Sequence, residues 1–325
     1  MIVCRSPYRI SLGGGGTDLP SYYQQQEGFF ISAAINRYVY ITINKILGSD
    51  IIIRAPQLHI YNEISEIKHN LIRCAADTLD LKLSGLELSS MAELPVNSGM
   101  GSSGSFLVCL LKALSEQQGK NATPNDLAEL AFNIEHEQLK LPVGKQDQYI
   151  SALGGLRLFT IDANGIVQSR LLNLTNDESK YFMRHLVLFY TGKQRASSII
   201  LQEQQQKTNN NDSKMLNNLN HIKILGQQAC AALESANFEQ FGWLMDEHWQ
   251  YKLQRSSNMS DDSMIQLYHY AKQNGAIGGK LIGAGGGGFF MFYSNDMARL
   301  IDAMGLYGYA PLKVMIDEVG VCRLT

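Results

Sequence analysis

Where the glycines fall is what most constrains this chain. About half of the 29 glycines lie in three short clusters, at 13–16, 99–104 and 278–288. Such clusters mark tight turns or places where backbone must come very close to another group. Two of them contain a literal G-x-G-x-x-G: Gly99-Met100-Gly101-Ser102-Ser103-Gly104 and Gly283-Ala284-Gly285-Gly286-Gly287-Gly288. A dinucleotide site needs a strand, the glycine turn, a helix and a second strand, ending in an acidic residue about twenty positions on. After the first match comes a helix pattern, but Gly119, Thr123-Pro124 and another helix follow it, with no second strand. The second match runs into Phe289-Phe-Met-Phe-Tyr293, a strand pattern. Neither ends in the Gly-Lys-Ser/Thr of a Walker loop. The NAD-binding turn is therefore excluded at both places. What remains at 99–104 is a glycine-rich helix start, whose backbone N–H groups and partial positive charge suit an anion. Ser102 and Ser103 add hydroxyls there, able to cap the helix or to reach a phosphate-bound metal.

A length of 325 residues suggests two domains, and 45% hydrophobic residues suffice for their cores. The net charge of −2 gives no electrostatic case for nucleic acid or an anionic membrane. No run approaches membrane-spanning length, and MIVCRSPYRISL lacks the apolar core of a signal peptide. Cys4, Cys74, Cys109, Cys230 and Cys322 are scattered, which fits reduced thiols in a cytoplasm and not a disulfide frame or zinc site.

Periodicity predicts strands over 3–12, 29–46 (one long or two short), 86–91 and 154–162. Helices are predicted over 64–81 and 102–118, with a third opened by Thr123-Pro124 and ending near Pro142. From about residue 170 the pattern restarts. A strand at 185–190 precedes helices around 195–206, 215–236, 238–253, 262–273 and 296–304, and LKVMID reads as a last strand. The expectation is two α+β halves, 1–170 and 171–325. The polar tract QEQQQKTNNNDSK (202–214) reads as a solvated surface loop in preference to a moving lid.

Leu127, Ala131 and Glu135 recur four apart on one helix face, flanked by Leu130 and Ile134. Glu135 therefore points to an apolar side, where an unpaired charge is expensive. Either a bound cation or a hidden Arg or Lys must answer it, while Glu137 turns to solvent. Twelve residues on lies Asp147, in Gly144-Lys-Gln-Asp147-Gln148. The turn at Pro142 can return it to the same pocket, at the positive end of a short helix. Such a carboxylate is suited to orienting a substrate hydroxyl or accepting its proton, although an Asp there also serves as a plain cap.

Three motifs then identify a resemblance: SPYRISLGGGGTD (6–18), ELPVNSGMGSSGS (93–105) and KLIGAGGGGFF (280–290). In this order and spacing the chain resembles the GHMP kinases, end to end. The resemblance implies an N-terminal domain like the second domain of ribosomal protein S5 and a ferredoxin-like C-terminal domain. It implies ATP as donor, its phosphates on Asn97, Ser98, Gly99, Met100, Gly101, Ser102, Ser103 and Gly104. Mg²⁺ would be held by Ser103 (or Ser102) and Glu135. Asp147 would face the acceptor hydroxyl, paired with Arg9 as in the sugar-kinase branch. The acceptor would lie on Gly15, Gly16, Thr17, Asp18 and Gln148, with Gly285 and Gly286 beside it.

Asn97, Met100 and Gly104 depart from the commonest residues of that motif, and GGGGTD replaces the galactokinase GEHTD. The GGGTD form is similar to D-glycero-D-manno-heptose 7-phosphate kinases and, less closely, to fucokinase-type enzymes. The implied acceptor is a small-molecule sugar phosphorylated on its anomeric hydroxyl, with a heptose 7-phosphate leading. Another sugar 1-kinase and a catalytically silent sugar/ATP sensor are the alternatives, and oligomeric state stays open. For the 7-phosphate, YTGKQRASS (190–198) offers Lys193 and Arg195 at a helix start, with Arg195 favoured because its planar fork grips two oxygens. A solvated basic turn is the plain alternative.

Overall fold

A computed structural model describes residues 1–194 and 197–325 of the chain. Up to Leu171 the elements are β1 (Ile2–Gly13), α1 (Pro20–Tyr23), β2 (Gly28–Lys45), β3 (Ile51–Arg54), β4 (Leu58–Tyr61), α2 (Asn70–Thr78), β5 (Leu86–Ala92), α3 (Ser102–Gln117), α4 (Pro124–Asn133), α5 (Gln146–Leu153), β6 (Leu156–Ile161) and β7 (Val167–Leu171). There follow α6 (Asn176–Arg184), β8 (Leu186–Tyr190), α7 (Ser197–Asn209), α8 (Ser213–Glu234), α9 (Phe238–Leu253), α10 (Asp262–Gln273), β9 (Ala276–Leu281), β10 (Phe289–Ser294), α11 (Met297–Leu306), β11 (Pro311–Leu312) and β12 (Cys322–Arg323). Helices and mainly antiparallel sheets in separate runs make this the expected α+β fold. Among the described residues no helix is long and apolar enough to cross a membrane.

The larger sheet runs β12-β1-β2-β5-β3-β4, with β6 and β7 continuing from the first half of β2. Strand β2 is one 18-residue strand, long enough to pair with β6 at its start and β5 at its end. Side chains alternate across a strand, and here both faces are covered. Phe30, Ala34, Ile41 and Ile43 pack with the buried residues of α2 to α5. Tyr8, Ile10, Leu12, Ile31 and Ala33 pack with α8, α9 and the smaller sheet, β11-β8-β10-β9. The central pair β1–β2 is thus shared by helices from both halves, and Arg9 and Ser11 of β1 line the cleft described below.

Several elements differ from the sequence expectation. Residues 64–81 are a 3₁₀ turn at Ile64–Glu66 and then α2. Strands β3, β4 and β7 and helix α6 were not anticipated, because an exposed pattern such as that of β7 carries no alternation to read. LKVMID pairs regularly only at Leu312, with Ile316 adding an isolated bridge to Ile35. The tract 202–214 is no surface loop: α7 runs through it to Asn209, and Gln204 and Thr208 are buried. Polar residues pack there, so hydrophobicity gave no signal. Gln204 Nε2 donates to the Gly16 carbonyl at 2.9 Å, holding α7 against the first glycine turn.

Candidate active site

The loop 97–104 enters α3 through a left-handed run, with Asn97 at φ 57°, Gly99 at 78° and Gly101 at 77°. Gly101 takes the position before the helix, and the helix start carries no side-chain cap. Its N–H groups thus remain available to an anion. Ser103 is exposed and Ser102 half-buried. Met100 is buried in the core against β1, so only its backbone can serve a phosphate, and its carbonyl accepts from Arg9 N at 3.1 Å. The buried Ser98 hydroxyl has no hydrogen-bond partner among the described residues.

The third glycine cluster is pressed directly onto this loop. A Cβ at Gly99 would lie 2.5 Å from the Ile282 carbonyl oxygen, and one at Gly283 would lie 2.6 Å from Gly99 Cα. Gly99→Ala therefore adds a left-handed alanine, roughly 1–2 kcal/mol, to a clash with fixed backbone. The expected outcome is a lower Tm and a raised KM for ATP, checked by thermal melting and initial rates.

Arg9 on β1 and Asp147 on the first turn of α5 meet beside this loop. Arg9 Nε and Nη2 approach Asp147 Oδ1 at 2.7 and 2.6 Å, and Nη1 donates to the Gly99 carbonyl at 2.5 Å. Arg9 is buried, while the Asp147 side chain keeps 29% of its exposure and so faces the cleft. A Cβ at Gly101 would stand 3.2 Å from both Arg9 Cγ and Asp147 Cγ, and one at Gly104 2.8 Å from Asp147 Cβ. Glycine at these positions lets the carboxylate sit against the helix start.

Helix α4 continues into a π-helical turn over Ile134–Gln138, the kind of irregularity that recurs at functional sites. Glu135 lies on it, fully buried beside Leu127 and Ala131 as the periodicity predicts, and Glu137 is exposed. Among the described residues no Arg or Lys pairs with Glu135. Its Oε2 accepts from Gln148 Nε2 at 2.5 Å, and its Oε1 has no partner among the described residues. Burial pushes the carboxyl up to about 7, opposed first by the Gln148 amide and then by the nearby Ser103 hydroxyl, which does not reach hydrogen-bonding geometry with either oxygen.

At the end of the cleft where the acceptor is expected, Asp18 is buried, its two oxygens accepting from Gly16 N at 3.0 Å and Gln146 N at 3.1 Å. Burial raises its pKa, opposed first by the Gln146 hydrogen bond. Asp18, Gly15, Gly16 and Gly285 line the cleft. Thr17 does not offer its hydroxyl, which donates to Gly14 and Phe29 carbonyls and accepts from Phe29 N. Gln148 turns to Glu135, and Gln146 takes the place at the cleft, its Nε2 donating to Ser11 Oγ at 3.1 Å. On α5 these two residues point in different directions, and sequence gave no means of choosing between them. Gly286 is tied by its N–H to the Met259 carbonyl at 2.9 Å. Arg195 lies outside the described residues. Lys193 is half-buried and pairs with Asp261 at 2.5 Å. The cleft also holds Gln204, His248, Lys252, Arg255 and Lys280, none of which the sequence singled out as site residues.

Two family profiles match the chain: GHMP kinases N terminal domain over residues 70–155 and GHMP kinases C terminal over 229–310, together about half of it. D-glycero-alpha-D-manno-heptose 7-phosphate kinase of Campylobacter jejuni is 28% identical over 300 residues, 89% of this chain and 88% of that protein. L-fucokinase/L-fucose-1-P guanylyltransferase of Bacteroides fragilis is 27% identical over 330 residues, 90% of this chain but 34% of that longer protein. A crystal structure of a D-glycero-D-manno-heptose 1-phosphate kinase from Bacteroides thetaiotaomicron superposes with a TM-score of 0.82 at 22% identity, covering 100% of this chain and 99% of that one. Lactococcus lactis galactokinase complexed with galactose gives 0.77 at 18%, covering 99% and 94%. The chain belongs to the GHMP kinase family and is an ATP-dependent phosphotransferase with an alcohol group as acceptor.

Proposed function

We propose that this enzyme phosphorylates the anomeric hydroxyl of a sugar, and that the sugar is D-glycero-D-manno-heptose 7-phosphate, giving the 1,7-bisphosphate. The reaction rests on one observation, the Arg9–Asp147 pair facing the cleft beside the start of α3. The acceptor oxygen forms a bond to the γ-phosphorus, the bond to the bridging oxygen breaks, ADP leaves, and the hydroxyl proton goes to Asp147. Arg9 holds that carboxylate in place, and the loop 97–104 offers backbone N–H groups to the donor phosphates. The division into an ATP-binding unit, 1–170, and a C-terminal unit, 171–325, belongs to the same proposal.

Ser103 and Glu135 would hold Mg²⁺. The buried Glu135 Oε1, without a partner among the described residues, supports this fit, since a cation would complete it. Among the described residues no group of three or more His, Cys, Asp or Glu gathers there. That suits Mg²⁺, which is usually held by one or two side chains plus phosphate and water. When bound, it supplies charge neutralisation at the donor phosphates.

Support for the heptose comes from the GGGTD turn and from the Campylobacter jejuni relative, and the fucokinase-bearing relative makes L-fucose the second candidate. A coupled ADP-release assay over heptose 7-phosphate, heptose, L-fucose and galactose tests the choice. The highest kcat/KM is expected with heptose 7-phosphate, with the new phosphate on C1 by ³¹P NMR. Preference for L-fucose would replace the heptose assignment with a fucokinase.

A further inference from the structure

The floor of the cleft carries charge that the transfer chemistry leaves unused. His248 and Lys252 stand one turn apart on α9, Arg255 follows it, and Lys280 lies on β9. All four line the cleft, at 3–6% exposure. Among the described residues none has a carboxylate within ion-pair distance, unlike Lys193 or Lys272 nearby. Neutral atoms hold them instead. Lys252 Nζ donates to the carbonyls of Leu281 at 2.7 Å and Gly283 at 2.5 Å. Lys280 Nζ donates to the Leu12 carbonyl at 3.0 Å, with His248 Nδ1 at 3.3 Å. Arg255 Nε donates to Asn218 Oδ1 at 3.0 Å, and both terminal nitrogens reach the Gly15 carbonyl at 3.2 Å. An ammonium has three N–H donors and a guanidinium five, so Arg255 and Lys252 keep unused ones.

Buried cations without counter-ions are costly. Burial, then mutual repulsion, lowers Lys252 well below the usual lysine range and Lys280 to about 7. Asp18, the nearby acid, offsets Arg255 only in part from beyond ion-pair distance, its oxygens accepting from Gly16 and Gln146 N–H groups. The cluster is thus preorganised and, at its two lysines, without a counter-ion among the described residues, as a site completed by an anion would be.

Its two ends serve different places. Lys252 is bonded to Gly283, which abuts Gly99 of the phosphate loop. Arg255 is bonded to Gly15, and a Cβ at Gly16 would lie 2.7 Å from its Nη1. That is the acceptor end, next to Asp18. We propose that Arg255 and Lys280 bind a phosphate group carried by the acceptor, with Arg255 the residue that makes the enzyme select phosphorylated sugars. This deepens the sugar-phosphate assignment above and rests on it.

The test compares kcat/KM for D-glycero-D-manno-heptose 7-phosphate and for unphosphorylated heptose, a ratio that does not depend on the fraction of folded enzyme. Wild type is expected to prefer the 7-phosphate. Arg255→Met loses at least about tenfold more on the phosphorylated acceptor than on the other, as fits the loss of a charged hydrogen-bonding fork. Arg255→Lys recovers part of the preference. Lys280→Met, which leaves the Gly15 contact intact, narrows it as well. A preference unchanged in all three variants overturns this site and leaves the sugar-phosphate assignment standing. Equal losses on both acceptors would then assign the cations to the transferring phosphoryl group. A wild type that uses both sugars alike overturns the sugar-phosphate assignment, and this site with it.

Discussion

Asp147→Asn is expected to lower kcat by about a hundredfold or more, the range for loss of a positioned acid–base group, while ATP binding stays nearly intact. The substitution keeps size and leaves an oxygen to accept from Arg9, so the bonds at 2.7 and 2.6 Å need not break. What it removes is the carboxylate proposed to take the proton. Neighbouring glycines 101 and 104 already fit the side chain closely, and an isosteric amide adds no bulk there. Arg9→Ala should reach a similar loss by another route. It frees Asp147 to swing in the cleft and also releases the Gly99 carbonyl. ATP titration of both variants, beside single-turnover rates, separates the two effects: Asp147→Asn loses rate alone, and Arg9→Ala loses rate and some donor affinity. An Asp147→Asn enzyme turning over near the wild-type rate would exclude Asp147 as the proton acceptor.

How much of this was legible depends on the range of the signal. Glu135 was legible because a 3.6-residue period places a carboxylate in an apolar stripe, and burial of Leu127, Ala131 and Glu135 follows that period. The π-helical turn that carries it was not, since it is set by how α4 ends against its surroundings. Both α+β halves were readable from alternation and from turn and cap signals such as Thr123-Pro124, whereas the equivalent Thr175 box that opens α6 went unread. The Arg9–Asp147 contact spans 138 positions, and only the family resemblance brought the two together. Lys252 sits in an ordinary helix pattern and Arg255 just past its end, where a basic residue reads as solvated, and Lys280 is overshadowed by the glycines of its own motif. Their burial is imposed by β1 and the glycine turns closing over them, a tertiary effect that no local pattern carries. The same holds for Gln204, hidden in a tract that looks like loop.

Glu135→Gln has the other large expected effect, and its sign reverses with the metal. In metal-free protein the wild-type carboxyl, with a pKa near 7 against an ordinary 4.5, resists ionisation because it is buried. A carboxyl raised in the folded state costs nothing below about 4.5, costs progressively more as pH climbs through the interval, and costs its full amount above about 7. At about 1.4 kcal/mol per unit the full cost is on the order of 3 kcal/mol. Gln keeps an oxygen for the Gln148 amide, now at 2.5 Å, and carries no charge. The variant in EDTA at pH 8 should therefore melt no lower than wild type and by several degrees higher if the cost is fully expressed. That margin should close as pH falls towards 4.5. With MgATP the order inverts: wild type gains a stabilisation that the variant largely lacks, and the variant needs more Mg²⁺ to reach half its maximal rate. Melting curves across pH, with and without MgATP, contain both halves of the test. A variant that melts several degrees lower in EDTA at pH 8, yet keeps the wild-type Mg²⁺ requirement, would make Glu135 a structural carboxylate and leave the metal without its ligand.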